Sequence, residues 1–168
     1  MVIETELSDG TPLLIRQIGP DDKRLLVAGM RRLSERSRRQ RFLTPTEQLS
    51  RAQLSYLTEI DQRDHQAWGA LIDGEPVAIG RFVRTHDDEA EVALTVIDEW
   101  QKRGLGTMLL RLLAEEAERV GIKRFTFVYL PENVAIAQLL AKFGTVGRLE
   151  DGLLTASLPV SPTGRGST

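Results

Sequence analysis

A chain of 168 residues, 41% hydrophobic and 27% charged, can bury one core without disulfides or a structural metal, and its make-up is that of an ordinary globular domain. The formal charge of -2 supplies no general attraction for nucleic acid, and the absence of cysteine excludes thiolate nucleophiles, iron-sulfur clusters and cysteine-based zinc sites. No apolar stretch approaches the roughly 20 residues that cross a bilayer, and Met1 to Asp9 lacks the basic and apolar regions of a secretion signal, so a cytoplasmic protein is expected, without membrane or nucleic-acid partners.

Along the chain, Leu13 to Ile18 reads as a strand, and Gly19-Pro20-Asp21-Asp22 as a turn that caps a helix carrying Leu25, Leu26 and Met30. Ser34 is placed to cap a second, arginine-rich helix, and Leu49 to Leu57 has apolar residues at helical spacing. Arg31, Arg32, Arg36, Arg38, Arg39 and Arg41 crowd this region. They read first as a solvated helical surface, and next as a basic wall for an acidic partner or for cofactor phosphates; no aromatic residues interleave to stack bases. His65 and His86 have no neighbouring ligand pattern and read as loop or surface imidazoles, so no metal is expected.

Past His65 the period changes. Ala67 to Ile72 and Val77 to Val83 flank Asp73-Gly74-Glu75-Pro76 as a hairpin, and Ala90 to Ile97 is a third strand, antiparallel to the one before it. A glycine-containing segment leads to an amphipathic helix over about Thr107 to Val120, ended by Gly121. Arg124 to Val128 is then a strand parallel to the one before that helix, because a crossover of this kind is right-handed and returns in the same direction. Asn133 caps a last helix stopped by Gly144, and strands near Thr145 to Leu149 and Leu153 to Leu158 complete a mixed, mostly antiparallel α/β sheet of six to seven strands with helices on both faces. One domain over 1–158 is expected, with a disordered tail over 159–168, which is rich in Pro, Ser, Thr and Gly.

Arg103-Gly104-Leu105-Gly106-Thr107, between a buried strand and a helix, aims several unpaired backbone N–H groups at one spot at the positive end of the helix dipole, an arrangement that binds phosphate. Glycines at 104 and 106 let an anion reach the backbone, while Lys102 and Arg103 add charge. The nucleotide P-loop needs Gly-Lys-Ser/Thr after four intervening residues, and the dinucleotide fingerprint needs a third glycine where this chain has Leu109. Neither matches.

Gln101-Lys102-Arg103-Gly104-Leu105-Gly106, after the strand Leu94-Thr95-Val96, resembles the Gln/Arg-x-x-Gly-x-Gly/Ala motif of the GNAT superfamily of N-acetyltransferases, whose order of elements fits from about Leu13 to Leu158. Leu33-Ser34-Glu35-Arg36-Ser37 with Arg41-Phe42, and Ala90-Glu91-Val92-Ala93 with Trp100-Gln101, look most like the catalytic domain of bacterial Pat-type protein lysine acetyltransferases. The resemblance implies the GNAT fold, with acetyl-CoA as co-substrate. It implies that backbone groups of Leu94 and Val96 hold the pantetheine arm. Gln101, Lys102, Arg103, Gly104, Leu105, Gly106 and Thr107 hold the pyrophosphate, and Asn133 touches the cofactor. It also places Glu91, ten positions before the motif, as general base.

An amine with a pKa near 10.4 is almost wholly protonated at neutral pH, a handicap of about 4.6 kcal/mol to attack, so a base is needed. Glu91 precedes Val96 by five residues, about 16 Å of extended strand, which is comparable with the reach of a pantetheine arm. Many relatives carry a tyrosine acid about seven residues after the capping asparagine; here that position is Leu140, and Tyr129 is the available substitute. The expected function is transfer of an acetyl group to a primary amine, a protein lysine, by direct attack in a ternary complex. The alternatives are a small-molecule amine as acceptor, or a non-catalytic module that senses acyl-CoA. Either a monomer or a homodimer suits these readings.

Overall fold

The computed structural model describes residues 1–161, so most of the expected tail, 162–168, lies outside the described residues. Eight strands form one sheet in the order β1-β2-β3-β4-β5-β6-β8-β7. They are β1 (Val2–Glu6), β2 (Pro12–Gln17), β3 (His65–Ile72), β4 (Glu75–His86), β5 (Glu89–Val96), β6 (Arg124–Tyr129), β7 (Arg148–Glu150) and β8 (Leu153–Pro159). All neighbouring pairs are antiparallel except β5 and β6. This is the mixed sheet expected, with one strand more. The extra strand, β1, is a mostly exposed edge paired to β2.

Between β2 and β3 lie α1 (Lys23–Arg32), α2 (Glu35–Phe42) and α3 (Arg51–Thr58). As expected, Ser34 caps α2, its hydroxyl accepting from the Ser37 N–H, and Ser50 does the same for α3 through the Gln53 N–H. The β3–β4 hairpin turns on Asp73 and Gly74, both with positive φ, as a two-residue turn of this hand requires. After β5 the chain makes a single 3-10 turn over Asp98–Trp100 and enters α4 (Leu105–Arg119). Past Gly121, which has φ +80, the Ile122 N–H donates to the Ala117 carbonyl and closes the helix. The last helix is α5 (Val134–Lys142). Among the described residues no helix is long and apolar enough to cross a membrane.

Alternation along the strands assigns the two faces of the sheet. Gly80 faces α4, where a Cβ at this position would meet Leu94 at 2.9 Å, Leu113 at 3.1 Å and Leu109 at 3.3 Å. Ile79 and Arg81 face the other way, towards α1 and α3. With a helix layer on either side, β3 is buried from Gln66 to Ile72, and Trp68, Phe82 and Phe125 lie fully inside. At the far end of the sheet Val160 is buried, and its N–H donates to the Lys123 carbonyl.

The feature that positions the site is a separation of strands. β5 and β6 pair only over Glu89–Glu91 and Arg124–Thr126, while β6 goes on pairing with β8 as far as Tyr129. From Val92 to Val96 the edge of β5 therefore has no strand partner on that side. Because α4 closes on Gly80 so tightly, Gly80→Ala is expected to cost about 1–3 kcal/mol by overpacking. Urea unfolding of the two proteins measures it, and equal stability would mean that the helix–sheet contact is looser than described.

Candidate active site

The loop from β5 into α4 is anchored before it reaches the glycines. The Asp98 carboxylate accepts from the Ser34 N–H at 3.0 Å, the Ser34 hydroxyl at 2.8 Å and the Ser37 hydroxyl at 3.0 Å, tying the start of α2 to the loop. Burial pushes the Asp98 carboxyl up, but these bonds outweigh it and leave its pKa below the usual range. The Gln101 side-chain amide then donates to the Val96 carbonyl at 3.1 Å and to the Ser37 hydroxyl at 3.4 Å, folding the loop back on β5.

Beyond Gln101 the backbone takes positive φ at Lys102 (63°) and Gly104 (84°), and α4 begins at once, two residues earlier than periodicity indicates. The first helical bond runs from the Met108 N–H to the Gly104 carbonyl. Among the described residues no protein acceptor takes the backbone N–H groups of Lys102 to Thr107. Those of Leu105, Gly106 and Thr107 are the free donors of the first turn of α4 and point along its positive end. Gly104 suits its left-handed conformation, whereas Gly106 is not demanded by the fold, since a Cβ there would meet only Leu139, at an ordinary 3.6 Å.

These amides face an open cleft of about 210 Å³. Leu94, Val96, Gln101, Lys102, Gly104, Leu105, Gly106, Thr107 and Asn133 all line it, so the structure brings together every binding residue expected from the sequence except Arg103. The Arg103 guanidinium turns away, 4.7 Å from the centre of the Trp100 ring and 3.6 Å from the Asp9 carboxylate. Asn133 both lines the cleft and caps α5, its Oδ1 accepting from the Ile136 N–H at 3.2 Å.

Sequence reasoning had Arg41 only as one of a cluster read first as solvated surface and next as a basic wall, and it missed Ser37 and Gln40 beside it on α2, and Ala135, Gln138, Leu139 and Lys142 from α5. Both sets have the i, i+3, i+4 spacing of one helix face, which was the available signal. The charged lining is Arg41, Lys102 and Lys142, with no carboxylate among the lining residues. A chain that is negative overall thus sets a cationic wall beside unspent amides and an unpaired strand edge, the donor set that a diphosphate with an amide-bearing arm requires.

Glu91 lies outside that cleft, exposed, on the sheet face shared with Arg81. Its charge reaches Arg41, which is partly buried between α2 and β5 and whose pKa is lowered by burial. Behind them Arg81 donates to the Leu57 carbonyl at 3.1 Å and to Nε2 of His65 at 2.9 Å. His65 is therefore not the loop or surface imidazole expected. It opens β3, lies with its ring 5.2 Å from that of Tyr56 at a tilt of 49°, and is pushed down to about 4 by burial and then by Arg81. Tyr129 is 3% exposed, with its hydroxyl against Gly147, and Leu140 is fully buried, so neither side chain lies in the cleft lining.

Residues 28–145 match the family model described as the acetyltransferase (GNAT) family. The chain belongs to that family.

Among curated relatives it is 34% identical, over 95% of its own length, to acetyltransferase Pat of Mycolicibacterium smegmatis, and spans about half (49%) of that protein. It is 33% identical to acetyltransferase PA5475 of Pseudomonas aeruginosa, over 84% of this chain and 79% of that one. Among solved structures, the GNAT domain of S. lividans PAT superposes with a TM-score of 0.89 at 31% identity, covering 94% of this chain and 96% of that one.

Members of this family use acetyl-CoA, and the cleft's free amides and acid-free cationic wall fit it. Gly106→Ala is expected to leave stability unchanged or raise it by up to about 1 kcal/mol, because alanine suits a helix better. Since the motif admits alanine at this position, acetyl-CoA should bind that variant within about threefold of the wild type, whereas Gly106→Glu, which sets a carboxylate among the free amides, should weaken it at least about tenfold. Calorimetry beside thermal unfolding reads both quantities, and full affinity in a folded glutamate variant would remove these amides from the binding site.

Proposed function

We propose that the protein is a cytoplasmic, acetyl-CoA-dependent N-acetyltransferase that modifies a lysine side chain of another protein by direct attack in a ternary complex. One observation carries the reading: unspent amides at the start of α4 and the open edge of β5 share one cleft with three cations and no acid. In it the amides from Lys102 to Thr107 bind the pyrophosphate, and Arg103 contributes through its backbone alone. Lys102, Lys142 and Arg41 supply charge, Asn133 adds its side-chain amide, and backbone groups of Leu94 and Val96 hold the pantetheine arm. Acetyl-CoA itself brings the activated acyl group.

The acceptor arrives as an ammonium and must lose a proton before its nitrogen can attack. Glu91 takes that proton, directly or through one water. Its exposure supports a protein acceptor, because a lysine on a large partner reaches it from open surface. As the C–N bond forms, a free N–H on the edge of β5 receives the charge that develops on the thioester oxygen. The thiolate leaves and is protonated by water, since neither Leu140 nor Tyr129 offers an acid in the cleft. With no cysteine in the chain, a cysteinyl acyl-enzyme is not formed.

Glu91→Gln is expected to lower kcat by roughly 10²–10⁴-fold at neutral pH while acetyl-CoA affinity stays within about twofold. The residual rate should rise about tenfold per pH unit below the acceptor's pKa, as free amine replaces ammonium. Mass spectrometry of acetylated proteins, run beside a panel of amino acids and polyamines, gives both the rate and the acceptor. Undiminished turnover in the variant would exclude Glu91 as the base, and labelling of small amines alone would exclude the protein acceptor.

A further inference from the structure

A second cavity, of about 70 Å³, lies on the other side of Arg41 and Thr95, which line both spaces. It is a partly open space bounded by α1, α2, α3 and the face of the sheet that carries Glu91. Its walls are apolar, from Leu26, Met30, Leu57 and Ile79 among others, and the charged groups that line it among the described residues are the guanidinium groups of Arg41 and Arg81. Arg81 is 4% exposed. Among the described residues no carboxylate comes within 4.0 Å of either one.

Buried cations are ordinarily paired, because the desolvation they suffer is offset only by an opposite charge and by hydrogen bonds. Here the hydrogen bonds come from the Leu57 carbonyl and from His65, whose Nε2 accepts from Arg81 and is therefore unprotonated. The acid whose charge reaches Arg41 is Glu91, so one negative charge faces two positive ones. Arg81 stands opposite Ala93, two residues along β5 from Glu91, a step of about 7 Å. Glu91 and Arg81 thus project from neighbouring positions of one sheet face, an arrangement that suits an ε-amine at Glu91 with a carboxylate on or beside the same lysine.

We propose that Arg41 and Arg81 form a receptor for a carboxylate carried by the acceptor, so that the enzyme selects lysines accompanied by an acid. This rests on the reading of the neighbouring cleft as the acetyl-CoA site. The carboxylate has two sources: an acidic side chain next to the modified lysine in a protein, or the lysine's own α-carboxylate. The shared chemistry is one charge-assisted, forked hydrogen bond to a guanidinium.

The test compares kcat/KM for two matched pairs: a peptide with glutamate beside the lysine against the same peptide with glutamine, and Nα-blocked lysine against its amide. The wild-type protein should favour the carboxylate member of at least one pair by about tenfold or more, and that pair identifies the source. In Arg81→Met the ratio should fall towards one. Arg81→Lys keeps the charge without the fork, and is expected to reduce the ratio at least about threefold should the methionine variant not fold.

Ratios near one in the wild-type protein, or a preference undiminished in the Arg81 variants, would overturn the proposal. So would an Arg81 variant that weakens coenzyme A more than dephospho-coenzyme A, because Arg81 would then belong to the cofactor's phosphate; Arg41, which lines both spaces, serves both ligands in this proposal. A wild-type protein that does not bind acetyl-CoA in calorimetry would instead overturn the reading of the cleft.

Discussion

Backbone polar groups that lose their partners inside a fold must find others, and this structure leaves two such sets side by side. Past Glu91, β5 runs on to Val96 without β6 beside it. A few residues later α4 opens with its first amides free, on a loop held to β5 by Gln101 and to α2 by Asp98. A strand edge can pair with the amide groups of an extended arm, and a helix start can hold a diphosphate. Joined at the proper distance, they define a ligand that has both.

The rest of the molecule serves that junction. α4 is pressed onto the sheet through Gly80, Leu109 and Leu113, which fixes where its amides point. α2 and α5 wall the cleft from opposite sides, and Arg39 on α2 meets Glu132, just ahead of α5, at 2.6 Å. That ion pair is exposed on both sides and adds little stability. The arginine-rich stretch is thus several different things. Arg32 reaches the Pro76 carbonyl, Arg38 the Leu33 carbonyl, Arg39 an acid, and only Arg41 faces the cleft.

Much of the fold was legible because its signals are local. Caps at Ser34 and Asn133, the Asp73-Gly74 turn and the stop at Gly121 each follow from side-chain or backbone chemistry within a few residues. β1 was not legible, since an exposed edge with Glu4 and Glu6 has no apolar alternation to detect. The start of α4 was placed late because Leu105 and Gly106 read as loop until the left-handed Gly104 is seen to end it. Among the site residues, the loop carried its own motif and was found. Arg103 is held by Asp9, far away in sequence, as well as by Trp100 close by, and the Asp9 contact, like the Arg81–His65 pair set by the register between β3 and β4, joins separate parts of the chain. Neither leaves a trace in local spacing.

The central claim is that the free amides from Leu105 to Thr107 are themselves the anion-binding groups. Titrating the ¹⁵N-labelled protein with coenzyme A, and following backbone amide resonances, tests it most directly. The largest saturable shifts should fall on Leu105, Gly106 and Thr107, with smaller ones along the edge of β5 from Val92 to Val96. Saturation with those resonances unmoved, and the shifts gathered on another surface, would contradict the account.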